Sequence, residues 1–143
     1  MQMKQIATSN VDVRQMIEQG AQFHGHLGPY LVAGIKMGLL ALAELGSNGH
    51  KDLFAKVETG TEPPLSCLAD GIQISTGCTL GKGNIKVIDK GIPRGEFRTE
   101  ERSLKIKLKP NYLESLDGEG LEEKAWNAFT LNDEELFTWT SRR

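Results

Sequence analysis

Cysteine is scarce in this sequence, and so are aromatic residues and long apolar runs. The 143 residues include two cysteines, and aromatic residues make up 6% of the chain. Two cysteines are too few for an iron–sulfur cluster, which usually takes four thiolates. No segment approaches the ~18 consecutive apolar residues of a membrane-spanning helix, and residues 1–5 contain no apolar signal core. We therefore expect a cytoplasmic protein with reduced thiols.

An excess of positive charge is also lacking. The formal net charge is -2 and the pI is about 5.9, which argues against nucleic acid as a partner because phosphate binding needs a basic surface. The densest basic run lies at residues 104–109, where three lysines alternate with apolar residues. Alternation with period two predicts the solvent face of a strand rather than an anion-binding patch.

The chain length and the pattern of the remaining residues predict one domain over residues 1–143. Helices are predicted near 10–19, with Gly20 as the stop, from Gly28-Pro29 to Gly46, and from Ser66 to about Ser75. Strands are predicted at 52–58, 85–88, 95–99 and 103–108, and two more helices near 119–129 and from Asn132 onward. This order predicts an α+β fold with a mostly antiparallel sheet and flanking helices.

The second predicted helix carries a stripe of small residues: Ala33, Gly34, Gly38 and Ala41. Glycine inside a helix costs about 1 kcal/mol relative to alanine, so the stripe predicts that another backbone comes close. That neighbour is either another element of this chain or a second copy of it. We predict the second of these, a homodimer.

Two histidines, His24 and His26, stand two positions apart just before the second helix. In an extended segment, such residues point the same way. Imidazole is the commonest metal ligand and also carries protons near neutral pH. This pair therefore predicts a metal or proton-transfer site.

The two cysteines occur in polar or glycine-rich segments, Cys67 three residues before Asp70 and Cys78 immediately before Thr79. Two histidines and two cysteines suit a tetrahedral zinc site, with Asp70 as a ligand or as a residue that orients a histidine. The spacing does not match a zinc finger. A redox pair of the two cysteines stays open as an alternative, although the spacing is not that of a low-pKa redox motif.

Three motifs, Phe-His-Gly-His-Leu-Gly-Pro at 23–29, Cys-Leu-Ala-Asp-Gly-Ile-Gln at 67–73 and Thr-Gly-Cys-Thr-Leu-Gly-Lys-Gly-Asn at 76–84, resemble the core domain of the FmdE family. That family is named for one component of the molybdenum or tungsten formylmethanofuran dehydrogenase. The resemblance implies an α+β core, a dimer and a metal-binding pocket. Its implied metal ligands are His24, His26, Cys67 and Cys78, with Asp70 and Thr79 beside them as candidate catalytic residues.

Two features depart from the family pattern. Many members carry a cysteine where this chain has Gly28, and many carry a zinc finger with Cys-x-x-Cys pairs, which residues 1–143 do not contain. The dehydrogenase chemistry needs a pterin–metal cofactor and iron–sulfur clusters on other subunits.

Three hypotheses follow. The favoured hypothesis is a protein that binds zinc, or another divalent transition metal, and is accessory to or regulates this type of C1 metabolism, with other components of an enzyme complex as possible partners. The second is a stand-alone metalloenzyme, in which the metal activates water or polarises a carbonyl. The third is a metal-free thiol or redox pocket.

Overall fold

The computed structural model describes residues 4–116 and 118–143. It contains the predicted α+β fold in one domain, with helices packed on a five-stranded sheet. The helices are α1 (Val13–His24), α2 (Pro29–Leu45), α3 (Cys67–Thr76), α4 (Pro110–Glu114), α5 (Leu121–Thr130) and α6 (Asp133–Leu136). The strands are β1 (Phe54–Val57), β2 (Ile85–Val87), β3 (Arg94–Arg98), β4 (Ser103–Leu108) and β5 (Phe137–Arg142).

The sheet has the strand order β2-β1-β3-β4-β5. β1 and β2 are parallel, and the other neighbouring pairs are antiparallel. The alternation predicted for β4 is confirmed, because Leu104, Ile106 and Leu108 are buried while Lys105 and Lys107 are exposed. The apolar face of β4 lies toward the helices and contributes to the core.

The first helix differs from its prediction. It begins at Val13, because the Asp12 side chain accepts a hydrogen bond from the Gln15 amide at 3.1 Å and caps the helix. It continues through Gly20, which is buried, and an added Cβ there would lie 3.0 Å from Ile35 Cδ1 and 3.6 Å from Ile74 Cγ2. Gly25 ends the helix with a φ of 107°, a conformation that glycine adopts at little cost. Gly20 therefore serves close packing rather than termination.

α2 is the central helix and is buried on most of its faces, as expected for a helix that is apolar all round. Its small residues pack against α3 within this chain. A Cβ on Gly34 would collide with the Leu68 carbonyl, and one on Gly38 would collide with the side chains of Ser75 and Thr76. The stripe is thus explained without a second copy of the chain, and the homodimer stays a prediction with no support from this feature.

Lys36 projects from α2 to the end of α5. Its ammonium group donates hydrogen bonds to the carbonyl oxygens of Ala128 (3.2 Å), Phe129 (3.1 Å) and Leu131. These carbonyls lie at a helix C-terminus, where the backbone acceptors lack helical partners. Burial lowers the pKa of Lys36. The contact joins α5 to the central helix.

The C-terminal segment corrects the prediction of a helix from Asn132 onward. α6 begins as predicted, since Asn132 and Glu135 form a capping box. It ends at Leu136, and the chain then runs as β5 beside β4. Phe137 is buried, whereas Thr138 is exposed and Trp139 is partly buried. Pairing with the open edge of β4 outweighs the short helical pattern in this segment.

At the other side of the sheet, Glu58 is buried directly after β1. The Arg94 guanidinium bonds both of its carboxylate oxygens, with Nη2 to Oε1 at 2.8 Å, and the Lys90 ammonium lies 3.1 Å away. Arg94, assisted by Lys90, holds the pKa of Glu58 at about 2.

Among the described residues, no helix is both long and apolar enough to cross a bilayer.

Candidate functional site

The end of α1 and the start of α2 bring the two histidines together. His24 is the last residue of α1, Gly25 turns the chain, and His26 follows in the connection to Pro29. The predicted extended segment is wrong for His24, which is helical. The two rings nevertheless meet, with centroids 4.6 Å apart and planes inclined by 43°. The turn at Gly25 produces the proximity that the sequence pattern predicts for extended backbone.

His24 is oriented by Asp70. Its Nδ1 lies 2.5 Å from Asp70 Oδ2, and its side chain is 10% exposed. An ionised carboxylate only accepts hydrogen bonds, so the hydrogen of the neutral ring lies on Nδ1 and Nε2 keeps its lone pair. His24 Nε2 is buried and has no hydrogen-bond partner among the described residues. A carboxylate that holds one ring nitrogen while the other remains available is the usual arrangement behind a metal-binding histidine.

A chain of hydrogen bonds extends this pair to the glycine-rich loop after α3. Gln73 Nε2 donates to Asp70 Oδ1 at 3.4 Å, and the Leu80 amide donates to Gln73 Oε1 at 3.3 Å. Residues 70 and 73 are one helical turn apart, so their side chains share a face of α3. Gln73 thus links the loop to the carboxylate that orients His24.

The two histidines and Cys67 line one cavity of about 230 Å³. Its buried wall consists of Gly28, Pro29, Leu31, Cys67 and Leu116, while its rim includes the exposed residues His26, Pro64, Gly118 and Leu121. Tyr30 completes the described lining. The cavity is therefore largely apolar, with its imidazoles and thiol as the groups capable of metal binding.

The two cysteines lie in different surroundings. Cys67, the first residue of α3, is 8% exposed and faces the cavity. Cys78 is fully buried in the core, where its thiol donates to the Leu53 carbonyl at 3.6 Å, and it is not among the described residues of the cavity. Burial raises the pKa of both thiols, with Asp70 adding to the effect at Cys67. Neither cysteine has the lowered pKa that is typical of a redox pair.

Thr79 organises the loop. Its hydroxyl accepts hydrogen bonds from the Lys82 amide at 3.3 Å and the Lys82 ammonium at 3.0 Å, and its own amide donates to Asn84 Oδ1 at 3.0 Å. It is not among the described residues that line the cavity. The structure thus brings together His24, His26, Cys67 and Asp70 of the predicted site, and places Cys78 and Thr79 apart from them.

The side chains at this site are of the types that bind a divalent transition metal. Imidazole and thiol groups are zinc ligands. Nε2 of His24 is buried and has no hydrogen-bond partner among the described residues. Within residues 4–116 and 118–143, however, no three His, Cys, Asp or Glu side chains already form a group that could hold a metal. A site built from His24, His26 and Cys67 would need side-chain movement, for which exposed His26 has room.

A larger open groove, of about 760 Å³, lies between the β3–β4 turn and residues 51–54. Its described lining includes Lys51, Asp52, Arg98, Glu101 and Arg102, with no histidine or cysteine. Charges of both signs, and the lack of histidine and cysteine among its described lining residues, favour the smaller cavity as the functional site.

Sequence reasoning missed the residues that complete the cavity. Leu116 and Leu121 come from the segment after β4 and from α5, and no local pattern marks them as neighbours of the histidines. Gln73 could have been found, since it lies three residues after Asp70 on a predicted helix. The ring of His50 lies beside Gly77, where an added Cβ would collide with it. Burial lowers its pKa.

Comparison with known proteins agrees with this architecture. Residues 23–138 match the model of the family described as FmdE, molybdenum formylmethanofuran dehydrogenase operon. An FmdE-like protein from Syntrophus aciditrophicus, named for a tungsten formylmethanofuran dehydrogenase, shares the fold in its crystal structure. The TM-score is 0.72 at 20% identity, over 99% of this chain and 77% of that one.

A curated relative, a probable S-adenosyl-L-methionine-binding protein from Archaeoglobus fulgidus, is 32% identical over 83 residues. The match covers 54% of this chain and 21% of the relative, so this chain spans about a fifth of that protein's length. The family match covers most of the chain, including all three motifs. This chain belongs to the FmdE family.

Proposed function

We propose that this chain is a metal-binding FmdE-family protein, with zinc as the favoured ion, whose metal site opens onto a small-molecule cavity. The observation that carries the proposal is the buried and unpartnered Nε2 of His24, whose other ring nitrogen is held by Asp70. His24, His26 and Cys67 would hold the metal. Asp70 would act by orienting His24 rather than as a ligand.

Three protein ligands beside a cavity favour an open site over a closed structural one. Cys78, which a four-ligand site would need, is directed to the Leu53 carbonyl. A bound zinc ion would polarise a ligand that enters the cavity. This supports the hypothesis of a metalloenzyme or of a metal-dependent sensor more than that of a purely structural zinc site.

We propose a cytoplasmic protein with an accessory or regulatory role in formylmethanofuran dehydrogenase-type C1 metabolism, supported by the family description. Association with components of such an enzyme and a homodimer are part of this proposal. The name of the Archaeoglobus relative suggests S-adenosylmethionine as another ligand. No acidic residue is among the described lining of the cavity to pair with the positive charge of that molecule, so we rank this ligand below an uncharged one.

Metal analysis of three proteins tests the site. Wild type, Cys67→Ala and Cys78→Ala are purified without a tag, loaded with zinc, desalted and analysed by plasma mass spectrometry. We expect near-stoichiometric zinc in wild type and Cys78→Ala, and at least tenfold less in Cys67→Ala. Circular dichroism verifies that each variant is folded.

Two results would contradict the proposal. Folded wild-type protein without zinc, or any other transition metal, would reject the metal site and leave the metal-free thiol pocket. Equal loss of zinc from both folded variants would restore Cys78 as a ligand and reject the three-ligand site.

A further inference from the structure

We propose that the cavity binds a small uncharged molecule with one protic head group, a thiol or an alcohol, and a short apolar tail. The proposal deepens the proposed function for the metal-loaded protein, because the ligand would occupy the same site. It also applies to the metal-free chain, so the two ideas can fail separately.

The cavity wall selects an uncharged, apolar tail. Pro29, Leu31 and Leu116 form buried apolar surface, and Leu121 adds an apolar side chain at the rim. None of the described lining residues is Asp, Glu, Lys or Arg. Against these described lining residues, a charged tail would lose its hydration without gaining a counter-charge from them, which is costly.

The part of the cavity lined by His24 selects a head group that donates a hydrogen bond. When the imidazole of His24 is neutral and its hydrogen lies on Nδ1 toward Asp70, Nε2 acts as an acceptor. An O–H or S–H group can satisfy this buried nitrogen, whereas a carbonyl or ether oxygen cannot. The same oxygen or sulfur atom is a donor atom for a metal held by His24, His26 and Cys67. Both forms of the protein therefore favour the same ligand class.

The volume limits the length of the tail. At about 230 Å³, the cavity is smaller than the ~300–1,000 Å³ of sites for drug-sized ligands. A drug-sized molecule would extend beyond it. A chain of a few carbon atoms can be enclosed, with its end against Leu116 or Leu121.

The test measures the affinity of homologous series for wild-type protein, with and without zinc. The probes are 1-alkanols and 1-alkanethiols from two to five carbons, with 3-mercaptopropionate as the charged-tail control, and binding is followed by calorimetry or by amide chemical shifts. We expect roughly fourfold tighter binding for each added methylene until the cavity is full. 3-Mercaptopropionate should bind at least tenfold more weakly than 1-butanethiol.

Comparison of thiols with alcohols shows whether the metal or His24 Nε2 recognises the head group. A preference for thiols that appears only with zinc would indicate recognition by the metal. In metal-free protein, tighter binding of an alkanol than of the alkanethiol with the same chain would indicate recognition by His24 Nε2, because O–H is the stronger hydrogen-bond donor. Either result supports the ligand class, whereas equal affinities of thiols and alcohols both with and without zinc would overturn it.

A matched pair of variants locates the binding. Leu121→Ser removes apolar surface from the cavity rim, and Val87→Ser removes an exposed apolar side chain from β2. We expect Leu121→Ser to weaken 1-pentanol binding about threefold to tenfold and Val87→Ser to leave it unchanged. Affinities that do not depend on chain length, equal binding of 3-mercaptopropionate, or equal effects of the two variants would overturn the proposal. Chain-length dependence in a protein that binds no metal would instead reject the proposed function alone.

Discussion

The two ends of α3 have opposite surroundings. At its first residue, Cys67 faces a cavity, and one turn later Asp70 reaches His24 at the cavity edge. At its other end, Ser75 and Thr76 are buried against Gly38 of α2, and Cys78 lies in the core. One end of the helix is therefore open to a ligand and the other is closed by packing. We infer that the closed end and the middle of α3 fix the position of the residues at its open end.

The crossing of α2 and α3 gives the largest expected effect. A Cβ on Gly71 would collide with the Leu31 carbonyl and lie 2.7 Å from the Ile35 nitrogen and 2.8 Å from Gly34 Cα. Backbone atoms cannot move away without separating the helices, so we expect Gly71→Ala to lower the free energy of unfolding by about 3 kcal/mol. Urea denaturation measures this change.

Gly81 provides the control, because a Cβ there meets no atom within 4 Å. Gly81→Ala should change the free energy of unfolding by less than ~0.5 kcal/mol. If both variants were equally stable, α2 and α3 would not be tightly packed where they cross. The crossing could then not fix the position of the residues at the open end of α3.

Thiol labelling compares the two ends of the helix directly. Cys67 lines the cavity, whereas Cys78 has no exposed surface. Modification of Cys78 requires opening of the core, so in the native protein a small alkylating reagent should modify Cys67 at least ~100-fold faster. The single variants Cys67→Ala and Cys78→Ala allow each rate to be followed by mass spectrometry. Similar rates would mean that the core end of α3 opens as readily as the cavity end.

Sequence reasoning succeeded where the signal is local. Pro29 and Gly46 mark the two ends of α2, and alternation marks β4, because helix termination and strand burial depend on neighbouring residues. It failed where distant segments decide the outcome. β5 forms because β4 offers it a partner, and the separation of Cys67 from Cys78 follows from how α3 packs on α2. Two cysteines, each in a polar or glycine-rich segment, gave no indication that one faces a cavity and the other the core.

Asp70 tests the open end of α3 without disturbing the closed end. In Asp70→Asn, the amide can donate to His24 Nδ1 as well as accept from it, so the hydrogen of the imidazole is no longer held on one nitrogen. We expect zinc affinity to fall 10- to 100-fold, and stability to change little because the Asp70 side chain is 35% exposed. Competition with a chelating dye measures the affinity, and nitrogen chemical shifts of His24 report its tautomer.

The control for this change is Glu18→Gln, which makes the same change of charge at an exposed position of α1. It should leave both zinc affinity and the His24 tautomer unaltered. A folded Asp70→Asn protein with wild-type affinity would show that the short contact between Asp70 and His24 does not orient a ligand.

The smallest expected effect lies at Gln73, which connects the open end of α3 to the loop after it. Gln73→Met keeps an unbranched side chain but removes the hydrogen bonds to Asp70 Oδ1 and from the Leu80 amide. Since neutral hydrogen bonds contribute about 0.5–1 kcal/mol each, we expect zinc affinity to fall two- to fivefold and the Leu80 amide to exchange faster. Faster exchange at Leu80 with unchanged zinc affinity would show that Gln73 orders only the loop. Asp70 would then be the last residue of α3 that affects the metal site.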